Sequence, residues 1–319
     1  MMFISQYATA KNYTTHHATQ HTTHNETMEI RLNGGYLTGQ SGEYVYDADG
    51  AVTGIAGYKM SQLDWKIDTA YLVGVGASLK LGRRTRFNLD YWQNAADGEA
   101  TMDDYDWFYV GADWSDWSHH ENTTATEISN VDINGEFTFL KFDNEQASIT
   151  GIVGYRQDHL KWVAVGGTAI YSIDSYRDSK VIFPETKGIT YEQNFKTPYI
   201  GLGLHSAGES NELPIVLNAS VQYSGWAQGD DSDTHHLRNL LFEESGDGGK
   251  WLGMNVSLEF FLSQVMSLNV AYAYQRYQEI KASTTMTDLT TGDVTYFGGA
   301  SAGLEHSSRR TSVQFSYHF

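Results

Sequence analysis

Residues 131–139 read VDINGEFTF, and this stretch decides the fold class. Val131, Ile133 and Phe137 alternate with polar or small residues. Because successive side chains of a β-strand point to opposite faces, a strand here has one apolar face and one polar face. The same period of two recurs in residues 87–91, 252–260, 268–274 and 313–319. The pattern predicts an all-β protein.

The segments between the predicted strands alternate in length. Short connectors are predicted at residues 82–85, 141–146, 208–213 and 262–267. Long polar connectors are predicted at residues 45–56, 94–125, 164–186, 228–249 and 282–307. Four short and five long connectors imply ten strands, and this asymmetry is typical of outer-membrane barrels. We therefore predict a ten-stranded antiparallel up-and-down transmembrane β-barrel with long extracellular loops, in the bacterial outer membrane.

Composition excludes several classes of function. The chain of 319 residues has 39 acidic and 21 basic residues, a formal net charge of −18 and no cysteine. This balance argues against nucleic acid as a partner, and the absence of cysteine excludes disulfides, zinc-thiolate sites and thiol nucleophiles. No apolar run approaches the roughly 18 residues that a membrane helix needs.

The chain is predicted to have two parts. Residues 1–27 are polar and rich in Thr and His, and we expect this segment to be disordered. Residues 28–319 carry the strand pattern and form the predicted barrel domain. The segment MMFI at the start is too short for the apolar core of a signal peptide, so either a signal has been removed or the start is not native.

Two pairs of residues have spacings that suit acid–base chemistry. Asp104 and Asp106 are two apart and share a strand face, so one carboxyl should keep its proton. Asp233 and His235 are also two apart, and a carboxylate that orients an imidazole can make it a general base. Solvated acidic loops, or carboxylates that bind calcium or magnesium, are the alternative interpretations.

Several separate segments resemble the omptin family of outer-membrane proteases, in family order and over nearly the whole chain. They are GYKMSQLDWK (57–66), MDDYDW (102–107), GGTAIYS (166–172), FKTPYIGL (195–202) and YSGWAQGDDSDTHH (223–236). The resemblance implies an aspartyl-type endopeptidase with Asp104 and Asp106 as one catalytic couple and Asp233 with His235 as the other. In that scheme His235 activates a water, no metal or other cofactor is needed, and His236 points away.

The resemblance also implies a substrate. The acidic P1 pocket of the family maps onto Glu43 and Asp231, so cleavage after Arg, with a preference for dibasic sites, is expected in basic peptides and proteins. Two carboxylates facing one guanidinium favour Arg over Lys.

Lipopolysaccharide is the expected membrane partner and a candidate activator, although the family's site for it is altered. Tyr155 matches the family series, whereas Gln157, His159 and Asn194 do not. Lysines are the candidate substitutes, and the predicted contacts are Tyr155, Lys161, Lys196 and Lys250.

Three other functions stay open at this point. The barrel could be a catalytically silent adhesin for host proteins, a small pore or a metal-dependent enzyme. Predicted interior charges argue for a filled lumen rather than a pore, and these are Asp64, Lys66, Asp90, Glu136 and Glu259. We expect a monomer.

Overall fold

The computed structural model describes residues 28–142, 146–210 and 213–319, so the Thr/His-rich segment 1–27 lies outside the described residues. All regular elements among the described residues are strands. Their bounds are β1 Met28–Asp47, β2 Tyr58–Leu81, β3 Thr85–Asn94, β4 Gly98–Asp106, β5 Asp116–Phe142, β6 Ala147–Val165, β7 Thr168–Tyr171, β8 Ser179–Ile182, β9 Lys187–Ser210, β10 Leu213–His235, β11 Leu240–Phe261, β12 Met266–Asp288 and β13 Val294–His318. No helix in the described part of the chain is long and apolar enough to cross a membrane.

The strands close into an antiparallel ring with ten positions. β3 and β4 occupy one position in succession, since both lie between β2 and β5. β1 pairs with β13 from Glu29↔His318 to Val45↔Ala302 and closes the ring. β7 and β8 form a hairpin that adds to β5 outside this ring. The predicted ten-stranded barrel is confirmed.

The two ends of the barrel differ. At one end, here called the turn end, neighbouring strands join across 82–84, 143–146, 211–212 and 262–265. Phe319 also lies there and donates its backbone N–H to the carbonyl of Met28 at 2.9 Å. The opposite end, here called the rim, carries the longer connection of residues 166–186, which contains β7 and β8.

Several segments predicted as long loops are mostly strand. β4 and the start of β5 fill much of residues 94–125, and β10 and β11 fill most of 228–249. β12 and β13 likewise extend through most of 282–307. The apolar/polar alternation fails there because these strand segments project beyond the lipid-facing belt, where the outward face is polar as well. The connections proper are therefore shorter than predicted, and much of the rim is built of paired strands.

Apolar side chains form a belt around the outside of the barrel next to the turn end. Leu32, Val75, Leu202 and Val256 are among its exposed members. Exposed tyrosines border the belt on the rim side, and these are Tyr36, Tyr71, Tyr91, Tyr155, Tyr223 and Tyr272. Such a belt with an aromatic border is the lipid-facing surface of a membrane barrel.

Side chains fill the interior above the tyrosine border. Trp65 stacks on Tyr191 with ring centroids 5.0 Å apart, and Trp162 packs against both rings. All three are fully buried, which gives the rim a solid floor.

Nearer the turn end the interior is polar. Asp90, Glu136 and Glu259 line an internal cavity of about 490 Å³, and Asp90 is paired with Arg31 at 3.0 Å. The prediction that Asp64 and Lys66 are interior charges is wrong. The buried side chains of this part of β2 are Ser61, Leu63, Trp65 and Ile67, so the residues between them face outward.

Candidate active site

The first couple lies where β10 reaches the rim. Asp233 and His235 both face the interior, and His235 Nε2 lies 2.6 Å from Asp233 Oδ2. Asp233 is buried, whereas the His235 side chain keeps 14% of its exposure. The turn 236–239 follows at once, so the imidazole stands at the mouth of the barrel.

Arg238, in that same turn, determines the tautomer of the His235 ring. Its Nη2 donates a hydrogen bond to His235 Nδ1 at 2.6 Å. Because a guanidinium can only donate, Nδ1 must present a lone pair, and Nε2 carries the proton given to Asp233. The next residue, His236, faces outward as predicted, is exposed and bonds to Thr190 at 2.8 Å.

The second couple lies on β4. Asp104 and Asp106 face the interior, and the Ser61 hydroxyl of the adjacent β2 donates to Asp104 at 3.2 Å. Burial raises the pKa of Asp104 to about 7 and, together with the charge of Asp104, raises the pKa of Asp106 to about 8. Near neutral pH the couple therefore holds a proton, and burial contributes more to this than the mutual repulsion expected from the spacing.

The two couples face each other across the mouth of the barrel. Three strands lie between β4 and β10 in one direction around the ring and five in the other. Both couples face the barrel interior, and the charge of Asp233 contributes to the raised pKa of Asp104. His235 keeps contact with solvent, and the Trp65–Tyr191 stack lies close by, since Tyr191 pairs with Asp233 across β9 and β10.

Three buried carboxylates converge beside the two couples. Ligand oxygens of Glu43, Asp231 and Glu244 all lie within 4.8 Å of one another. Burial and the surrounding negative charges raise the pKa of Glu43 and of Asp231 well above their ordinary values, and burial raises that of Glu244 to about 8. The predicted P1 acids are thus brought together, and such a cluster can hold a cationic side chain or a divalent ion.

Glu244 and Ser61 are two site residues that the sequence pattern does not predict. Glu244 lies directly opposite Asp231 in the β10–β11 hairpin, and this pairing follows from a turn centred between His235 and Leu240. Residues 228–249 carry no apolar alternation and are predicted as a loop, so no strand register is predicted for this pairing. Nothing in the local sequence marks Ser61, whose position is set by its pairing with Asp106 across two strands.

The predicted lipopolysaccharide residues lie on the outer wall. Tyr155 belongs to the tyrosine border, and Lys161 and Lys196 lie further toward the rim on β6 and β9. Lys161 is 3.2 Å from Glu127 and 3.6 Å from Glu192, and Lys196 is 3.3 Å from Asp230. Lys250 is exposed on β11, with β10 between it and Lys196.

Two of the three altered positions, His159 and Asn194, contact each other on the same wall. His159 Nδ1 lies 2.8 Å from Asn194 Oδ1, and its Nε2 lies 3.3 Å from Glu127. His159, Lys161 and Lys196 are therefore each within ion-pair distance of carboxylates on the same wall.

Comparison with known proteins identifies the family. A model of the omptin family matches residues 22–319. The chain is 30% identical to the plasminogen activator of Yersinia pestis over 92% of this chain and 90% of that protein, and 26% identical to the outer membrane protease OmpP of Escherichia coli K12 over 92% and 91%. The crystal structure of the outer membrane protease OmpT from Escherichia coli superposes with a TM-score of 0.84 at 25% identity, covering 92% of this chain and 97% of that one. The chain therefore belongs to the omptin family of outer-membrane proteases.

Proposed function

We propose that this protein is an endopeptidase of the outer membrane that cleaves peptides and proteins after Arg, preferably at dibasic sites, with its active site facing outward. The observation that carries the proposal is the arrangement at the rim. A hydrogen-bonded Asp233–His235 couple faces a proton-sharing Asp104–Asp106 couple, and three buried carboxylates lie beside them.

In the proposed mechanism His235 is the general base. A water takes the place of Arg238 at Nδ1 and gives its proton to that nitrogen while its oxygen attacks the scissile carbonyl. Asp233 stabilises the imidazolium that forms, because their hydrogen bond becomes charge-assisted. The imidazolium then returns the proton to the leaving amine, so no covalent acyl-enzyme is formed.

Asp104 and Asp106 hold the same water and the tetrahedral intermediate. The ionised member of the couple accepts a hydrogen bond from the water. The protonated member donates a hydrogen bond to the carbonyl oxygen as negative charge develops there. Ser61 keeps the two carboxyls in place through its bond to Asp104 at 3.2 Å.

The pocket of Glu43 and Asp231 selects the residue before the scissile bond. Both carboxylates are buried, and both have raised pKa values because of burial and neighbouring negative charge. A guanidinium relieves that repulsion when it enters, which supports the assignment to a basic P1 side chain. The relative named plasminogen activator is consistent with folded proteins as substrates of this chain.

Lipopolysaccharide is the proposed lipid partner of the monomer, on the outer wall above Tyr155. The mechanism requires no metal or organic cofactor, because the reacting proton passes between His235 and water.

Substitution of the first couple tests the mechanism. We expect Asp233→Ala and His235→Ala to lower kcat on an Arg-Arg peptide by roughly 10²–10⁴-fold, the usual contribution of a positioned general base. The measurement uses the full-length barrel in lipopolysaccharide-containing micelles, and His236→Ala is the matched control because that ring faces outward. Unchanged cleavage by both variants would exclude the proposed roles, and loss of wild-type activity in a chelator would indicate metal-dependent hydrolysis instead.

A further inference from the structure

The hairpin of β10 and β11 places a third acid in the pocket assigned to the P1 side chain. We propose that Glu244 is a specificity-determining residue of this pocket, and that three carboxylates around one guanidinium make the pocket select Arg over Lys. This inference rests on the proposed function and adds to it a residue and a basis for discrimination.

The contacts leave each of the three acids with a free oxygen. Thr284 donates to Glu244 Oε1 at 3.0 Å, and Tyr191 donates to Asp231 Oδ2 at 2.9 Å. Glu244 Oε2, Asp231 Oδ1 and Glu43 Oε2 are buried without a hydrogen-bond partner. Buried acceptors are normally satisfied, so three unsatisfied oxygens within one cluster indicate a ligand that donates several hydrogen bonds.

A fourth acceptor, from a neutral side chain, points to the same conclusion. Gln193 is fully buried and pairs with Asp231 on the neighbouring strand, and its Nε2 donates to Tyr191 at 3.0 Å. Its Oε1 has no partner. The residue below Asp231 on the same face is Gly229, where an added Cβ would touch Ile280, Leu304 and Phe195, so the floor under the acids is apolar.

The geometry of the two basic side chains decides between them. A guanidinium carries five N–H donors in one plane, distributed over three nitrogens, and so can serve carboxylates on several sides at once. An ammonium carries three donors on one atom and cannot span the three acids in the same way. Removal of the Glu244 charge should therefore cost an Arg substrate more than a Lys substrate.

The pocket should also release protons when Arg binds. Glu244 is faced by Glu43 from β1, Asp231 and Asp233 from β10 and Tyr191 from β9. Burial and the charge of Asp233 raise the pKa of Glu244 to about 8, so the empty pocket is partly protonated near neutral pH. Since the guanidinium favours the ionised carboxyl, the affinity for Arg should rise as the pH increases through this range.

The test compares Glu244→Gln with Glu243→Gln in the full-length barrel. Glu243 is the adjacent residue, loses the same charge and is exposed, so it controls for general electrostatics. Two peptides that differ only in Arg or Lys at P1 are assayed. We expect Glu244→Gln to lower kcat/KM for the Arg peptide roughly tenfold, mainly through KM, and to change that for the Lys peptide less than about threefold. Glu243→Gln should leave both unchanged.

Further measurements separate specificity from a structural role. In Glu244→Gln, the rise in affinity for the Arg peptide should move to lower pH, because the remaining acids lose one repelling charge, and Glu244→Asp should restore part of the Arg preference. An Arg/Lys ratio equal to that of Glu243→Gln would overturn the inference while wild-type cleavage after Arg still stands. Loss of wild-type activity in a chelator would overturn it as well, with Glu244 then a metal ligand. If the wild type cleaves neither peptide, the proposed function itself fails.

Discussion

The Asp104–Asp106 couple has a protonation state that depends on its neighbours. The positive charge of Arg238 lowers the pKa of both carboxyls, against the larger effect of burial. Arg238 also bonds to Nδ1 of His235. One exposed guanidinium thus contacts the base and acts electrostatically on the opposite couple.

This arrangement predicts a bell-shaped pH dependence of kcat/KM. Activity should fall below about pH 7, where the Asp104–Asp106 couple gains its second proton, and above about pH 8, where it loses its last one. Arg238→Met removes a charge that lowers both pKa values, so both limbs should move to higher pH, with a loss of roughly tenfold or less on the acid side. A pH–rate profile of the two proteins on one peptide checks this, and identical profiles would contradict it.

At the scale of elements, strand periodicity predicts which site residues share a face of one strand, but it does not predict which residues lie opposite each other on neighbouring strands. Asp233 with His235, and Asp104 with Asp106, could be predicted because residues two apart share a face. Glu244 could not, since its place opposite Asp231 depends on the register of a hairpin whose strands carry no apolar alternation at the rim. Asp64 and Lys66 differ from the prediction for another reason: the apolar residues Leu63, Trp65 and Ile67 alternate with them, but above the belt the apolar face of the strand points inward.

The outer faces of β5, β6 and β9 carry acids beside their cations, whereas a surface that only binds anions would carry cations alone. Glu127 and Glu192 form ion pairs with Lys161, and His159 contacts Glu127. These acids compete with any lipid phosphate for the same cations, so we expect a weak response to lipopolysaccharide in the wild type.

Neutralising these two acids should strengthen that response. We expect the double variant Glu127→Gln/Glu192→Gln to reach half-maximal activation at a lipopolysaccharide concentration several-fold lower than the wild type, because each freed cation can pair with phosphate. Titration of delipidated, refolded protein with lipopolysaccharide measures this. Glu305→Gln, on the outer face of β13, is the control, and an unchanged titration curve in the double variant would argue against this lipid site.

At the scale of the whole molecule, membrane anchoring and the candidate site lie at different positions along the barrel axis. The apolar belt and the tyrosine border anchor the half next to the turn end, while the other half extends as paired strands and carries the candidate site. Chain length, connector pattern and strand period were enough to predict the ten-position ring. The division of the interior into an aromatic floor and a polar cavity was not predictable, because it depends on rings from β2, β6 and β9 meeting across the barrel.

This floor predicts that the barrel does not conduct ions. Trp65, Trp162 and Tyr191 fill the interior between the rim and the polar cavity, so the wild type should show no porin-like conductance in planar bilayers. Trp65→Gly/Trp162→Ala removes two large rings from this floor and should open small, discrete conductance steps. Trp226→Ala is the matched control, since that ring is 61% exposed on the outside and its loss leaves the interior intact. Steady conductance of the wild type would show that ions bypass the aromatic floor and would favour the pore over the filled barrel.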